Sequence, residues 1–393
     1  MRIKILGGIA LFAFAQTFAQ NEAESLVNEL KQNNPTLKTQ VKYWEAKNLE
    51  YQTGYNLYDP VVTYDYMRGT PNAVAGNQTD VTVIQRFDFP TVYKRKKELA
   101  QEQMKQGELY KNAARQDVIL EAQLAVIELV YRNKLALHLA GRKAKTTKFV
   151  SDFQKKMNNG YGTILEVNKA KLELIEITKK TAENISYINR LNQKLTSLNG
   201  GKEVQYTGTA YPDFPAPENF ETLMEETEKL HPVLKYLEQQ KVIAQKDIEV
   251  SKAMKLPKLE VGYHYQGVLN QNFHGARVGM SIPVWENRNR VEQKEAELLL
   301  AEMRISEHEN EHYYELKQVY EQLQNLSQAK SEYQTLLKSL NSIALLDKAL
   351  MYGEITTFEY FLETSSYYEA ERNFLQTEKE YYDALAQLNK FAL

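Results

Sequence analysis

The sequence contains no cysteine. Disulfides, thiolate nucleophiles, cysteine-ligated zinc and iron–sulfur clusters are excluded, as is lipidation on an N-terminal cysteine. Glycine and proline are scarce, 17 and 10 in 393 residues, a little over half their usual share. No proline lies between Pro90 and Pro212 or after Pro283, and no glycine lies between Gly279 and Gly353. So little punctuation points to long helices. Beyond the N-terminus no apolar run is long enough for a transmembrane helix. An excess of one charge is missing too: 49 basic residues stand against 51 acidic ones, net −2. That balance argues against a dedicated nucleic-acid binder.

What is present begins with an address. Arg2 and Lys4 precede an apolar stretch from Ile5 to Phe14, and Ala19 marks a cleavage point. Residues 1–19 read as a secretory signal peptide, too short to span a bilayer. The mature chain is expected in the periplasm, outside the cell, or in a membrane as β-strands.

The rest is written twice. Asn34-Pro35-Thr36-Leu37 matches His231-Pro232-Val233-Leu234, and Asp59-Pro60-Val61 matches Leu256-Pro257-Lys258, both at an offset of 197. Phe89-Pro90 matches Ile282-Pro283, Gly160 matches Gly353 and Glu166 matches Glu359, all at 193. The one change of offset falls across Gly69-Thr70-Pro71-Asn72 and Gly76-Asn77-Gln78, a loop composition that accommodates an insertion. Two repeats follow, 20–199 and 218–393, joined by a linker at 200–217. Each reads helix, β-hairpin (61–89 and 258–283), long helix (91–158 and 285–351) and returning helix (163–199 and 354–391).

The hairpins alternate with period two. Leu259, Val261, Tyr263 and Tyr265 oppose Glu260, Gly262, His264 and Gln266, and Val81, Val83 and Phe87 oppose Asp80, Thr82 and Arg86. Their length suits membrane-spanning strands. The helices carry coiled-coil seams: Val291, Leu298, Ile305, His312, Val319 and Leu326 recur every seven residues, and Leu120, Leu124, Ile127, Tyr131 and Leu135 step by four and three. Residues 91–158 make a helix of about 100 Å at 1.5 Å per residue. The leading helix is read as one piece over 20–58, and Pro90 and Pro283 as openers of the long helices. Four strands cannot close a barrel, since the smallest single-chain barrels have eight, and open edges in lipid leave backbone groups unpaired. Strands that enter a membrane therefore require several copies of the chain.

The duplicated helix–hairpin–long-helix plan, the NPTL/HPVL pair and the glycine-marked turns at Gly160 and Gly353 resemble the TolC family of outer-membrane efflux proteins, over essentially the whole mature chain. The resemblance implies a mainly α fold with a small β part: long coiled-coil helices forming an α-helical barrel, plus four transmembrane strands per chain in a twelve-stranded trimeric barrel. It implies a homotrimer in outer-membrane lipid that extends into the periplasm. Such a duct conducts substrate passively for an inner-membrane pump, through a periplasmic adaptor, in a tripartite efflux or type I secretion system. The turns Gly160, Tyr161, Gly162, Thr163 and Tyr352, Gly353, Glu354, Ile355, Thr356 are then the adaptor-docking tips, with Glu166 and Glu359 at the tunnel mouth. The polar strand face, Asp65, Arg86, Asp88, Glu260, His264 and Arg277, is expected to line the barrel lumen, where a charge swap at Glu260 is tolerated.

One sharper motif competes. His308-Glu309-Asn310-Glu311-His312 fits H-E-x-x-H, the pattern of a zinc peptidase. His312 falls on a heptad row inside a long helix, no glycine or proline builds a cleft, and no third ligand stands out. Neither enzyme activity, a bound metal nor a cofactor is expected; no P-loop, dinucleotide fingerprint or G-x-S-x-G occurs. A soluble periplasmic coiled-coil scaffold remains the alternative to the duct.

Overall fold

The protein is described here by a computed structural model, over residues 22–70, 74, 76–340 and 342–392. The expected signal peptide lies outside the described residues. In chain order the elements are α1 (22–33), α2 (Pro35–Thr53), β1 (Val61–Met67), β2 (Gln78–Phe87), α3 (Pro90–Asn158), α4 (Ile164–Leu198), α5 (Phe220–Leu230), α6 (Pro232–Ala253), β3 (Lys258–Val268), β4 (Gln271–Ser281), α7 (Arg290–Ser339), α8 (Ser342–Tyr352) and α9 (Thr357–Leu388). The chain is mainly α, with a small β part.

The repeated landmarks are helix and strand starts. Asn34 caps α2: its Oδ1 accepts from Leu37 N at 3.0 Å, and Pro35 takes the first helical position, where no N–H is needed. His231 does the same for α6, its Nδ1 accepting from Leu234 N at 3.3 Å before Pro232. The Asn34 cap breaks what the sequence reads as one leading helix over 20–58. Val61 and Lys258, after Pro60 and Pro257, open β1 and β3.

α3 runs unbroken for 69 residues from Pro90. Its counterpart, expected over 285–351, starts late and is interrupted. α7 begins at Arg290, so Pro283 opens a loop rather than a helix. In that loop Asn287 Nδ2 donates to Met254 O at 2.5 Å, and Asn289 takes φ 59°, a left-handed conformation asparagine tolerates. α7 stops at Ser339, whose Oγ donates to Leu336 O at 2.7 Å, a local bond that competes with helix continuation. α8 then carries the chain to Tyr352.

The four strands form one antiparallel sheet in the order β1-β2-β3-β4, so the hairpin of the first repeat pairs with that of the second through β2 and β3. β1 and β4 are its edges.

The chain divides into two compact units. One holds the described residues up to Lys38, Ala114–Leu230 and those from His312; the other holds Thr39–Ala113 and His231–Glu311, including the sheet. α3 contributes to both. In the first unit Val126, Ile127, Leu129 and Val130 of α3 are fully buried against Leu30 of α1 and Leu195 of α4. The linker is part of this core: Val204, Tyr206 and Tyr211 are buried, and Tyr211 stacks on Tyr382 of α9 at 4.2 Å. In the second unit Trp44 of α2 is buried against α3, with Tyr110 at 5.6 Å and Gly107 beneath its ring.

A methyl group at Gly107 would lie 2.8 Å from Trp44 Cε3. The usual gain of up to about 1 kcal/mol from replacing a mid-helix glycine with alanine is therefore overridden there. Gly141 of the same helix has open space around it and should show the gain. Gly107→Ala is expected to lower the thermal unfolding midpoint and Gly141→Ala to raise it; equal shifts would contradict this packing.

Candidate functional site

Two regions gather the predicted site residues, one in each unit. In the first unit, the turns at the ends of α3 and α8 are the same structure at an offset of 193. Gly160 takes φ 81°; its N–H donates to Met157 O at 3.0 Å, and Tyr161 N donates to Lys156 O at 2.9 Å. Gly353 takes φ 73°; its N–H donates to Leu350 O at 3.3 Å, and Glu354 N to Ala349 O at 2.9 Å. Both are Schellman closures, which need a left-handed residue that glycine adopts without steric cost.

The returning helices start with matching capping boxes. Glu166 N donates to Thr163 Oγ1 at 3.3 Å while Thr163 N donates to Glu166 Oε2 at 2.8 Å. Glu359 N donates to Thr356 Oγ1 at 3.2 Å while Thr356 N donates to Glu359 Oε2 at 2.7 Å. Glu166 and Glu359, read as possible tunnel-mouth acids, thus have a structural task. The Thr163 and Thr356 backbone N–H groups hold their carboxyls below the usual range.

The two tips are joined. Thr357 Oγ1 donates to Glu166 Oε1 at 2.8 Å. Beneath them Phe153, Val167, Ala170, Tyr360 and Phe361 form a small core. Tyr360 Oη donates to Asp347 Oδ1 at 2.8 Å, and Lys145 reaches the same carboxylate at 2.6 Å; burial pushes the Tyr360 phenol up. Above this core Tyr161 and Tyr352 remain 87% and 72% exposed, with Met351, Leu165 and Phe358 also exposed. Thr357, Asp347 and Lys145 were not singled out in the sequence, which offers no periodic signal for contacts between the repeats.

In the second unit, the sheet has two unlike faces. Directly paired residues share a face. The register sets Tyr64 against Val81, Val81 against Tyr265, Val83 against Tyr263 and Val261 against Val278 on one side. Asp65 against Asp80, Thr82 against His264, Arg86 against Glu260 and Gly262 against Arg277 fall on the other. Five of the six predicted lumen residues, Asp65, Arg86, Glu260, His264 and Arg277, therefore share one face. Glu260 bridges Arg86 at 3.2 Å and Arg277 at 3.3 Å, and Thr82 Oγ1 lies 2.8 Å from His264 Nδ1. A charge swap at Glu260 sets a third cation against two arginines, so it is not the tolerant position the sequence suggests. Asp88 departs from this face: it follows β2, is 3% exposed, and pairs with Lys96 at 2.9 Å.

The H-E-x-x-H histidines both lie on α7. His308 Nε2 lies 3.3 Å from His231 Nε2 in the second unit, and the His312 ring meets Phe391 edge-on at 5.1 Å in the first. Among the described residues no group of three or more metal-ligating side chains converges.

The caps have a pH sign. Carboxyls depressed in the folded state stabilise it at neutral pH, and that stability is lost as pH falls through and below the ordinary carboxylate range. Thr163→Ala or Thr356→Ala should cost about 1 kcal/mol locally. Amide exchange in the first turn of α4 or α9 should then speed up roughly fivefold, and lowering the pH should loosen wild-type and variant turns alike, because alanine keeps the backbone N–H that holds each carboxylate. Unchanged exchange in the variants would rule out the caps as local stabilisers.

No protein-family model matches the chain, and no curated protein matches it in sequence. Solved structures do match. The outer membrane protein VceC of Vibrio cholerae superposes with a TM-score of 0.75 at 13% identity, over 94% of this chain and 96% of that one. The Campylobacter jejuni CmeC outer membrane channel gives 0.73 at 14%, over 94% and 85%. The Neisseria gonorrhoeae MtrE outer membrane channel in its open state gives 0.73 at 12%, over 94% and 88%. Identities this low carry architecture alone, and over nearly its whole length the chain has the TolC-like fold of these outer-membrane channels.

Proposed function

We propose that the protein is the outer-membrane exit duct of an export system, a homotrimer that passively conducts what an inner-membrane pump delivers through a periplasmic adaptor. The observation that carries this reading is the sheet: one apolar face, one polar face and two edges without a partner strand among the described residues. All seven residues of β1 are exposed. In lipid such edges cost several kcal/mol for each unpaired backbone group. Pairing β1 of one copy with β4 of the next removes them, and three copies give twelve strands, an even count suited to a barrel. The apolar face then meets lipid, and Asp65, Arg86, Glu260, His264 and Arg277 face the lumen.

Exposed side chains on the helices support assembly. Leu299, Met303 and Tyr314 of α7 and Leu172 and Ile175 of α4 are all more than half exposed in the single chain, a surface that neighbouring copies would cover. The fold shared with outer-membrane channels supports the location and the role of a duct. The tips, with Tyr161 and Tyr352 outermost, are the proposed adaptor-docking surface. The pump class, whether efflux or type I secretion, and the cargo follow from the genes that accompany this one.

Native mass measurement in detergent should find a trimer; a stable monomer would remove the reading. Val261→Lys, on the apolar face, should impair assembly by about 2–4 kcal/mol if the site lies at mid-membrane depth. Gln266→Lys, on the polar face, should be tolerated, and equal tolerance at both sites speaks against a membrane barrel. Tyr161→Asp combined with Tyr352→Asp should abolish export while trimer yield and membrane insertion stay normal. Export that persists places docking elsewhere.

A further inference from the structure

In the second unit the exposed apolar face of β4 runs on past the end of its pairing. Val278 and Met280 are 82% and 61% exposed, and Ile282, Val284 and Trp285 continue the run at 70%, 62% and 81%. Large apolar side chains left open in one stretch mark a contact surface. Trp285 is one of two tryptophans in the chain, and the other, Trp44, is buried. The first repeat has no such surface. The residue 193 positions before Trp285 is Val92, 2% exposed near the start of α3.

The loop between β4 and α7 is tied down on one side and open on the other. Asn287 is 4% exposed, and its Nδ2 donates to Met254 O at 2.5 Å. Lys258 Nζ donates to Glu286 Oε1 at 2.6 Å, which neutralises that carboxylate. Arg288 N donates to Trp285 O at 3.2 Å and closes a turn. These bonds fix Glu286 and Asn287 to the body and leave Val284, Trp285 and Arg288 facing solvent. Arg288 also departs from its counterpart. Arg95, 193 positions earlier, pairs with Glu98 and Glu249, both at 2.8 Å, whereas Arg288 is exposed and has no ion pair among the described residues. An open indole and an unpaired guanidinium thus share one turn.

We propose that this loop is a lipid anchor, with Val284 and Trp285 in the boundary between headgroups and acyl chains and Arg288 on the phosphate of an anionic phospholipid. The proposal rests on the duct reading. The eleven residues of β4, at about 3.3 Å each and a tilt of about 45°, cross roughly 25 Å, the height of the apolar band of a membrane barrel. β4 leads through this loop into α7, so the loop falls at the edge of the band on the helix side. An indole is favoured there because its ring is apolar and its N–H polar. The guanidinium fork matches phosphate oxygens. A second copy of the chain is the competing occupant, and an indole covered by protein is closed to lipid.

The test uses the full-length protein reconstituted in vesicles, with Trp285→Phe as the control that leaves only the buried Trp44. Protein that fails to float with the vesicles would remove the duct reading and the anchor together. In phosphatidylcholine vesicles brominated near the headgroup, wild-type tryptophan emission should fall, and that of Trp285→Phe should change little. Bromines deep in the acyl chains should quench less. In mixed vesicles, brominated phosphatidylglycerol should quench Trp285 about twofold more than brominated phosphatidylcholine at the same mole fraction. Arg288→Gln should erase that excess while trimer yield stays normal. Protein that floats with Trp285 unquenched, as when a second copy covers it, would overturn the anchor and leave the duct standing. Stronger quenching by the deep bromines, equal quenching by the two lipids, or a preference that survives Arg288→Gln would do the same.

Discussion

A helix of 69 residues has no interior of its own, and most of this chain answers to that constraint. α3 gains stability only by covering its apolar stripe, and a coiled-coil stripe must be covered along its whole length. In the first unit that cover comes from α1, α4 and α9. Ile127, Leu129 and Val130 meet Leu30 and Leu195 there, and ion pairs such as Lys134–Glu378 and Lys379–Glu128 run alongside. In the second unit α2 and α6 do the same work through Trp44, Tyr236 and Gln239, whose Nε2 donates to Glu102 O at 3.0 Å. The short helices exist because the long one needs partners, and their caps at Asn34 and His231 mark where one partner ends and the next begins.

The two ends of the repeat are solved by different physics. At the turns the backbone decides: glycine in the left-handed region closes one helix, and threonine with glutamate opens the next. In the sheet the side chains decide, because period-two alternation divides the strands into faces whatever the turns do. Function on this reading follows the same division, with recognition at rigid, capped tips and passage along a polar face.

Much of this was legible in the sequence. The repeated tip glycines and the face assignment of five charged or polar strand residues follow from spacing, because each depends on residues near one another in the chain. The break after Ser339 and the late start at Arg290 were not read, since asparagine and serine mark turns only weakly. Asp88 was misassigned for a related reason. Alternation carries past the end of β2, but pairing does not, and the carboxylate belongs to Lys96. The link from Thr357 to Glu166 lies beyond any local pattern, because it joins segments far apart in the chain.

The joined tips act as a length gauge. Pro90 to Gly160 and Pro283 to Gly353 span the same number of residues, and the hydrogen bond from Thr357 to Glu166 seats one turn against the other. An insertion of one heptad in a single arm would slide its turn by about 10 Å and pull that pair apart, whereas the same insertion in both arms would leave it intact. The two arms of this chain can therefore lengthen or shorten only in matched increments.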